Sequence, residues 1–253
     1  MRIIQKPFYT DRPTRTLMKL YKLYVEGFDQ EIKGVPEGHV VLISGPPGTM
    51  KSSLAYNILY NHAKNDGVRS LYVTLEQDRK SIEFHMGQLG MDPAEVEGSL
   101  TIQDFSKIRK GIKQMGDMSE SMEEGSHWME IIKKHLVDLR EDLGYELLVI
   151  DSLPVLETIS NLKNRRTEMF HFFGWLKALG VTTFVISEVS PDQNIVYDED
   201  YLADGILYLT MDRVGDTDVY RRIRCVKMRG VDHDTGYFTL EYKDNHFQVA
   251  RVI

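Results

Sequence analysis

One cysteine, Cys225, is the only thiol in this chain of 253 residues, which excludes an internal disulfide and any cysteine-cluster zinc site. No stretch approaches the roughly 20 apolar residues that span a bilayer. The opening MRIIQKPFYTDRPTR has neither the apolar run nor the small-residue cleavage site of a secretory leader. Positive charge is also short, because 31 Lys and Arg against 38 Asp and Glu leave a net −7. Net charge therefore gives no help in holding nucleic acid, although a local patch still could. No internal repeat is visible. Hydrophobic residues at 42% and charged residues at 27% exclude a wholly disordered chain, and the expectation is a cytoplasmic globular protein of one or two domains.

The N-terminal stretch, residues 1–23, carries Arg2, Lys6, Arg12, Arg15, Lys19 and Lys22 against Asp11 alone, and Pro7 and Pro13 break any early helix. It reads as a basic arm that either docks on the body or a neighbouring subunit, or is simply solvated. From residue 24 to 253 the pattern is that of one domain. Short apolar runs at residues 39–44, 71–75, 100–102, 146–151 and 181–187 predict strands, the longer ones buried on both faces. Between them lie helical patterns carrying Leu54, Ile58 and Leu59, then Ile82, Phe84, Met86 and Leu89, closed by Gly67 and Gly90. Residues 128–139, with Ile131, Ile132, His135 and Leu136 on one side, and residues 167–179 predict two more helices. Residues 107–126 form a polar connection whose Met115, Met118 and Met122 are assigned no function. After Asp200 the pattern turns to β, with strands at 206–210 and 220–228 and a final hairpin. The predicted fold is α/β, a mainly parallel central sheet flanked by helices with C-terminal β-hairpins.

The chemistry concentrates in Gly45-Pro46-Pro47-Gly48-Thr49-Met50-Lys51-Ser52, continued by Ser53, between a buried strand and a helix. That context fits a phosphate-binding loop: backbone N–H groups surround phosphate oxygens, Lys51 brings a charge to the β- and γ-phosphates, and Ser52 ligates Mg²⁺. The general pattern has Gly where Met50 stands; Met can hold a helical backbone but adds bulk where the loop approaches a nucleotide. Asp151 ends a buried strand that is expected beside the loop-bearing strand, where it would hold the metal; the other reading is a turn-forming Asp. Glu76 ends another strand and can orient a water attacking the γ-phosphate, or serve only as an acid at a helix N-terminus.

These residues together resemble the KaiC-like branch of the RecA-type ATPases, including its archaeal single-domain members, from about Tyr24 onward. Val25-Glu-Gly-Phe-Asp29 looks like that family's lead-in, GPPGTMKS like its P-loop, and VTLEQ (residues 73–77) like the strand carrying its catalytic glutamate. LLVIDSL (residues 147–153) looks like its Walker B strand, TTFVISE (residues 182–188) like its sensor strand, and Lys227-Met-Arg-Gly-Val-Asp-His233 like its basic segment. The resemblance implies a RecA-like P-loop NTPase fold that binds ATP with Mg²⁺, hydrolyses it, and forms a hexameric ring with ATP or ADP at subunit interfaces. It implies that Lys51 and Ser52 bind phosphate and metal, Asp151 supports the metal, and Glu76 activates water. Lys227 and Arg229 would act in trans on the γ-phosphate, with His233 near the same nucleotide. KaiC has two glutamates where this chain has Glu76 and Gln77, Gly where it has Met50, and tandem ATPase domains, so clock function and autophosphorylation are not carried over. Read without the resemblance, Lys227 and Arg229 continue a basic strand face with Arg221, Arg222 and Arg224.

Two rival functions remain. A recombinase-like DNA-repair accessory would place basic or aromatic loops along single-stranded DNA. Residues 154–166, expected as a loop, offer Lys163, Arg165 and Arg166, whereas residues 189–200 hold Asp192, Asp198, Glu199 and Asp200 with no Lys or Arg. Tyr197 and Tyr201 are the only aromatics near that second stretch. A slowly hydrolysing nucleotide switch that recruits a protein partner is the other alternative, and Met50 is its motive.

Overall fold

The computed structural model describes residues 18–106, 125–160, 162–188 and 201–251. Residues 1–17 of the basic arm, residues 107–124 with their methionines, and the acidic residues 189–200 lie outside these. Two short strands, β1 (Leu20–Tyr21) and β2 (Val25–Glu26), a helix α1 (Phe28–Ile32) and β3 (Val35–Pro36) lead into β4 (Val40–Gly45). There follow α2 (Lys51–Asp66), β5 (Ser70–Thr74), α3 (Arg79–Gln88), a 3₁₀ turn (Pro93–Val96) and β6 (Leu100–Asp104). Next come α4 (Gly125–Leu143), β7 (Leu147–Asp151), α5 (Leu153–Ser160), α6 (Arg165–Leu179) and β8 (Thr182–Glu188). The strands β9 (Gly205–Val214), β10 (Asp218–Met228), β11 (Phe238–Lys243) and β12 (His246–Arg251) complete the series.

Ten strands form one sheet in the order β2-β12-β11-β10-β9-β4-β8-β7-β5-β6. From β6 to β9 the pairing is parallel, and β9 to β12 are antiparallel neighbours. Every residue of β4, β5 and β7 is buried, as continuous Val/Ile/Leu-rich runs require when helices cover both faces. Strand alternation sorts them: Val41, Ile43, Tyr72 and Val149 pack with α2 and α3, while Val40, Leu42, Leu148 and Ile150 pack with α4, α5 and α6. Each such side chain contributes about 1.5–3 kcal/mol on burial.

The structure corrects several expectations. β7, which ends in Asp151, does not adjoin β4, because both edges of β4 are taken by β8 and β9. Residues 154–160 of the stretch expected as a loop are helical: Leu153, Leu156 and Ile159 recur at helical spacing and bury one face of α5, with Pro154 tolerated in its first turn. On α3, Ile82 and Met86 are buried but Phe84 points outward at 64% exposure, and on α4 Ile132 and Leu136 are buried while Ile131 is exposed. The basic stripe is divided by the pleat. Arg221 reaches the β4–α2 loop, Arg222 pairs with Asp212 at 2.7 Å, and Arg224 lies over the rings of Tyr208 and Tyr237.

The lead-in to β4 is fastened from two sides. Asn57 donates to the carbonyls of Leu23 and Tyr24, and the His62 ring meets Asp66 and the Lys22 carbonyl. Lys19 and Tyr21 both reach Glu146, at 2.5 and 3.0 Å. β1 pairs with β3, and β2 adds in parallel to β12, so the antiparallel edge is closed by an early strand. No described helix is long and apolar enough to cross a membrane.

Candidate functional site

β4 ends on Gly45, whose φ of 151° places an added Cβ only 2.2 Å from the Leu209 carbonyl oxygen. Only glycine permits the chain to turn off the strand this close to β9. The turn continues through half-buried Pro46 and exposed Pro47 and Gly48 to buried Thr49, whose hydroxyl donates to the Pro46 carbonyl at 2.9 Å. Met50 then takes φ 70°, ψ 28°. It is not the helical residue that the sequence suggested; it is a left-handed N-cap, a conformation that costs a residue with a Cβ roughly 1–2 kcal/mol. Its side chain packs partly against the core, which offsets some of that strain. From Lys51 the α2 helix presents its first-turn N–H groups to the loop, with Ser52 and Ser53 half-buried behind them.

The Lys51 ammonium is buried and donates to the carbonyls of Gly45 and Pro46 at 2.8 and 3.0 Å. Desolvation pushes its pKa down, against the opposing pull of Glu188, Asp151 and Glu76. Those carboxylates sit at the C-terminal ends of β8 and β7 and just beyond β5, the end of a parallel sheet where ligands are held. Asp151 is also buried, and desolvation raises its pKa against hydrogen bonds from Tyr72 and Ser52 and the Lys51 charge. The Tyr72 hydroxyl donates to Asp151 at 2.5 Å, and the Ser152 hydroxyl donates to Glu76 at 2.5 Å. The fold thus brings Lys51, Ser52, Asp151 and Glu76 to one place.

It does not bring Lys227, Arg229 and His233 there. Met228 faces Gly205, which in turn faces Val41, near the start of β4, whereas the loop leaves from its end at Gly45. That is about 13 Å of strand at roughly 3.3 Å per residue. Lys227 donates to the Ala203 carbonyl at 2.7 Å, and Arg229 pairs with Asp204 at 2.8 Å and donates to the Tyr201 carbonyl. His233 lies beyond β10, its Nδ1 3.0 Å from the Val231 oxygen, in a loop fastened to α1 through Asp234 and Glu31.

Four residues escape the sequence reading. Tyr72 holds Asp151, and the signal for it was a tyrosine in a run with no exposed position, which must find a polar partner. Ser152 was visible only as the residue after Asp151. Glu188 pairs in register with Gly45. Arg221, read only as part of a basic stripe, donates to the Gly48 carbonyl at 3.1 Å.

The donor set suits Mg²⁺, which needs only one or two protein oxygens when phosphates supply others. Ser52 provides a hydroxyl, and Asp151 is a buried carboxylate whose charge a divalent cation would compensate. Among the described residues, no cluster of three or more His, Cys, Asp or Glu is arranged to hold a metal ion.

A parallel sheet with a strand–loop–helix of this kind, a remote carboxylate strand and a third strand between them is the RecA-like P-loop ATPase architecture. The chain matches the family described as ATPase: KaiC over residues 21–251, and it belongs to that family, membership that implies nucleotide binding. It is 29% identical to a UPF0273 protein of Aeropyrum pernix, covering 88% of this chain and 90% of the relative. It is 28% identical to the circadian clock oscillator protein KaiC of Rippkaea orientalis, covering 90% of this chain but 43% of that protein. Among solved structures, the KaiC-like protein PH0186 of Pyrococcus horikoshii OT3 superposes with a TM-score of 0.75 at 25% identity, covering 92% of this chain and 99% of the other.

Proposed function

We propose that the protein is a Mg²⁺-dependent ATPase that works as a hexameric ring, with each active site built from two subunits and a regulatory role for the assembly. Residues 45–53 cradle the phosphates, Ser52 and Asp151 hold the metal, and Glu76 orients the attacking water. Bound Mg²⁺ would neutralise charge on the phosphates. Lys227, Arg229 and His233 serve the neighbouring subunit's nucleotide. The observation that carries this reading is the placement of Lys227 and Arg229 at the far end of β4 from the subunit's own loop. A positive group acting in trans can accelerate phosphoryl transfer by a factor on the order of 10³ or more. DNA is disfavoured as a partner, since the net charge is −7 and residues 189–200 carry Asp192, Asp198, Glu199 and Asp200 with no Lys or Arg.

Mixing tests the shared site. Glu76→Gln and Arg229→Ala should each be inactive, and together, after subunit exchange, they should recover turnover at about a quarter of the interfaces. If exchange is confirmed by mass and no activity returns, wild type is titrated with one dead variant. Linear loss of activity there means independent sites within single chains, which sinks the trans assignment.

A further inference from the structure

We propose that Tyr72 is a positioning residue that makes the metal site select Mg²⁺ over Ca²⁺, by tying one oxygen of Asp151 so that the carboxylate offers a cation a single fixed contact. The metal ligands are those of the ATPase reading above, on which this assignment rests.

Tyr72 lies on β5 opposite Val149 of the parallel strand β7, and Asp151 lies two residues further along β7. Paired residues face the same side of a sheet, as do residues two apart on one strand. Both side chains therefore lie on the face that α2 covers. Their offset is about 6.6 Å of strand, a span that a phenol side chain bridges. The hydroxyl meets Asp151 Oδ2 at 2.5 Å, as a short, charge-assisted bond does. Tyr72 is fully buried, its strand pairs on both sides, at Ile102 and at Val149, and its ring packs 5.7 Å from that of Tyr56. The hydroxyl is thus fixed, and it fixes Oδ2. Ser52, the hydroxyl ligand of the site, bonds both Tyr72 and Asp151.

The two cations ask different things of a carboxylate. Mg²⁺ demands near-octahedral geometry, keeps several waters and takes one or two carboxylates, whereas Ca²⁺ takes roughly six to eight oxygens and accepts bidentate carboxylates. Asp151 with Oδ2 already engaged serves the first and resists the second. Glu76 is held likewise, its Oε1 taking the Ser152 hydroxyl at 2.5 Å. Among the described residues, no cluster of three or more His, Cys, Asp or Glu stands ready to complete a larger shell. A phenylalanine at position 72 would fill the same space and leave Asp151 free to turn.

Calorimetry of ADP binding to the full chain, with Mg²⁺, with Ca²⁺ and with a chelator, tests the role without turnover. Wild type should bind ADP at least about tenfold more tightly with Mg²⁺ than with Ca²⁺. Tyr72→Phe should lower the Mg²⁺-supported affinity about tenfold, as loss of a ligand's outer partner does, and leave the Ca²⁺-supported affinity equal or higher. Its affinity in chelator should match wild type, which a general disturbance of the loop would not allow. In an Asp151→Asn background the same substitution should alter neither cation's effect. A wild type that gains equally from both cations overturns the proposal, whether or not Tyr72→Phe folds. Equal losses with both cations in Tyr72→Phe, or no loss with Mg²⁺, also overturn it. Failure of the ATPase reading looks different: wild type would not bind ADP, or neither cation would strengthen binding.

Discussion

At the residue scale, Met50 is where backbone strain and chemistry coincide. Its left-handed backbone predicts that Met50→Gly relieves about 1 kcal/mol of strain while giving up part of a core contact. Met50→Ala keeps the strain and loses the contact, so it should melt below both wild type and the glycine variant. Met50→Gly should also raise turnover or lower the ATP concentration needed; steady-state kinetics reads this directly, and flat values in a folded variant mean the side chain is neutral. Lys51→Ala removes a buried cation worth about 1.5–3 kcal/mol in charge-assisted bonds, so Mg-ATP affinity by calorimetry should fall roughly 10- to 150-fold. Asp151 pays for its position in stability. Burial raises its pKa above the 3.8 of an unburied aspartate, so the folded state is favoured while the group is protonated, and that advantage is lost as pH rises through the raised value. Asp151→Asn should therefore melt higher than wild type without nucleotide at neutral pH, with the gap closing toward about pH 4, and its ATP affinity should lose its dependence on Mg²⁺.

At the element scale, β9 and β10 set the far side of the proposed shared site. Asp204, just before β9, accepts from Lys177 at 2.8 Å, from Arg229 at 2.8 Å and from the Val40 N–H at 3.2 Å. Although its desolvation acts the other way, hydrogen bonds from Lys177 and Arg229 leave its carboxyl below the ordinary range. Asp204→Ala should destabilise the fold by about 1–3 kcal/mol, seen in urea unfolding, and should slow hydrolysis while leaving nucleotide affinity near wild type. The sequence made the strand–loop–helix at Gly45–Ser53 legible because glycine, lysine and serine at that spacing have few other uses. It also made β4, β5, β7 and β8 legible, because apolar runs between Gly and charged residues leave little choice of structure. Sheet order was not legible: nothing in LLVID says that β8 will come between it and β4, since pairing is decided by which crossovers pack. The face of each arginine on β10 became readable only once the register with β9 was fixed, and α5 was missed because a proline and a short apolar run resemble a loop.

At the scale of the whole molecule, the sheet joins an early segment to a late one. Val25 lies beside Phe247, and Glu26 beside Gln248. A chain made from its N-terminus exposes the β2 segment long before β12 exists. At roughly 5–20 residues per second of synthesis, the two strands emerge about 10–45 s apart. Once α2 has emerged it can clasp residues 22–24 for the rest of that interval, but the outer edge of the sheet has nothing to receive β2. The segment made among the first is thus among the last to gain its strand partner, and a ribosome-bound intermediate keeps that edge chemistry open to chaperones until the end of the domain has cleared the exit tunnel.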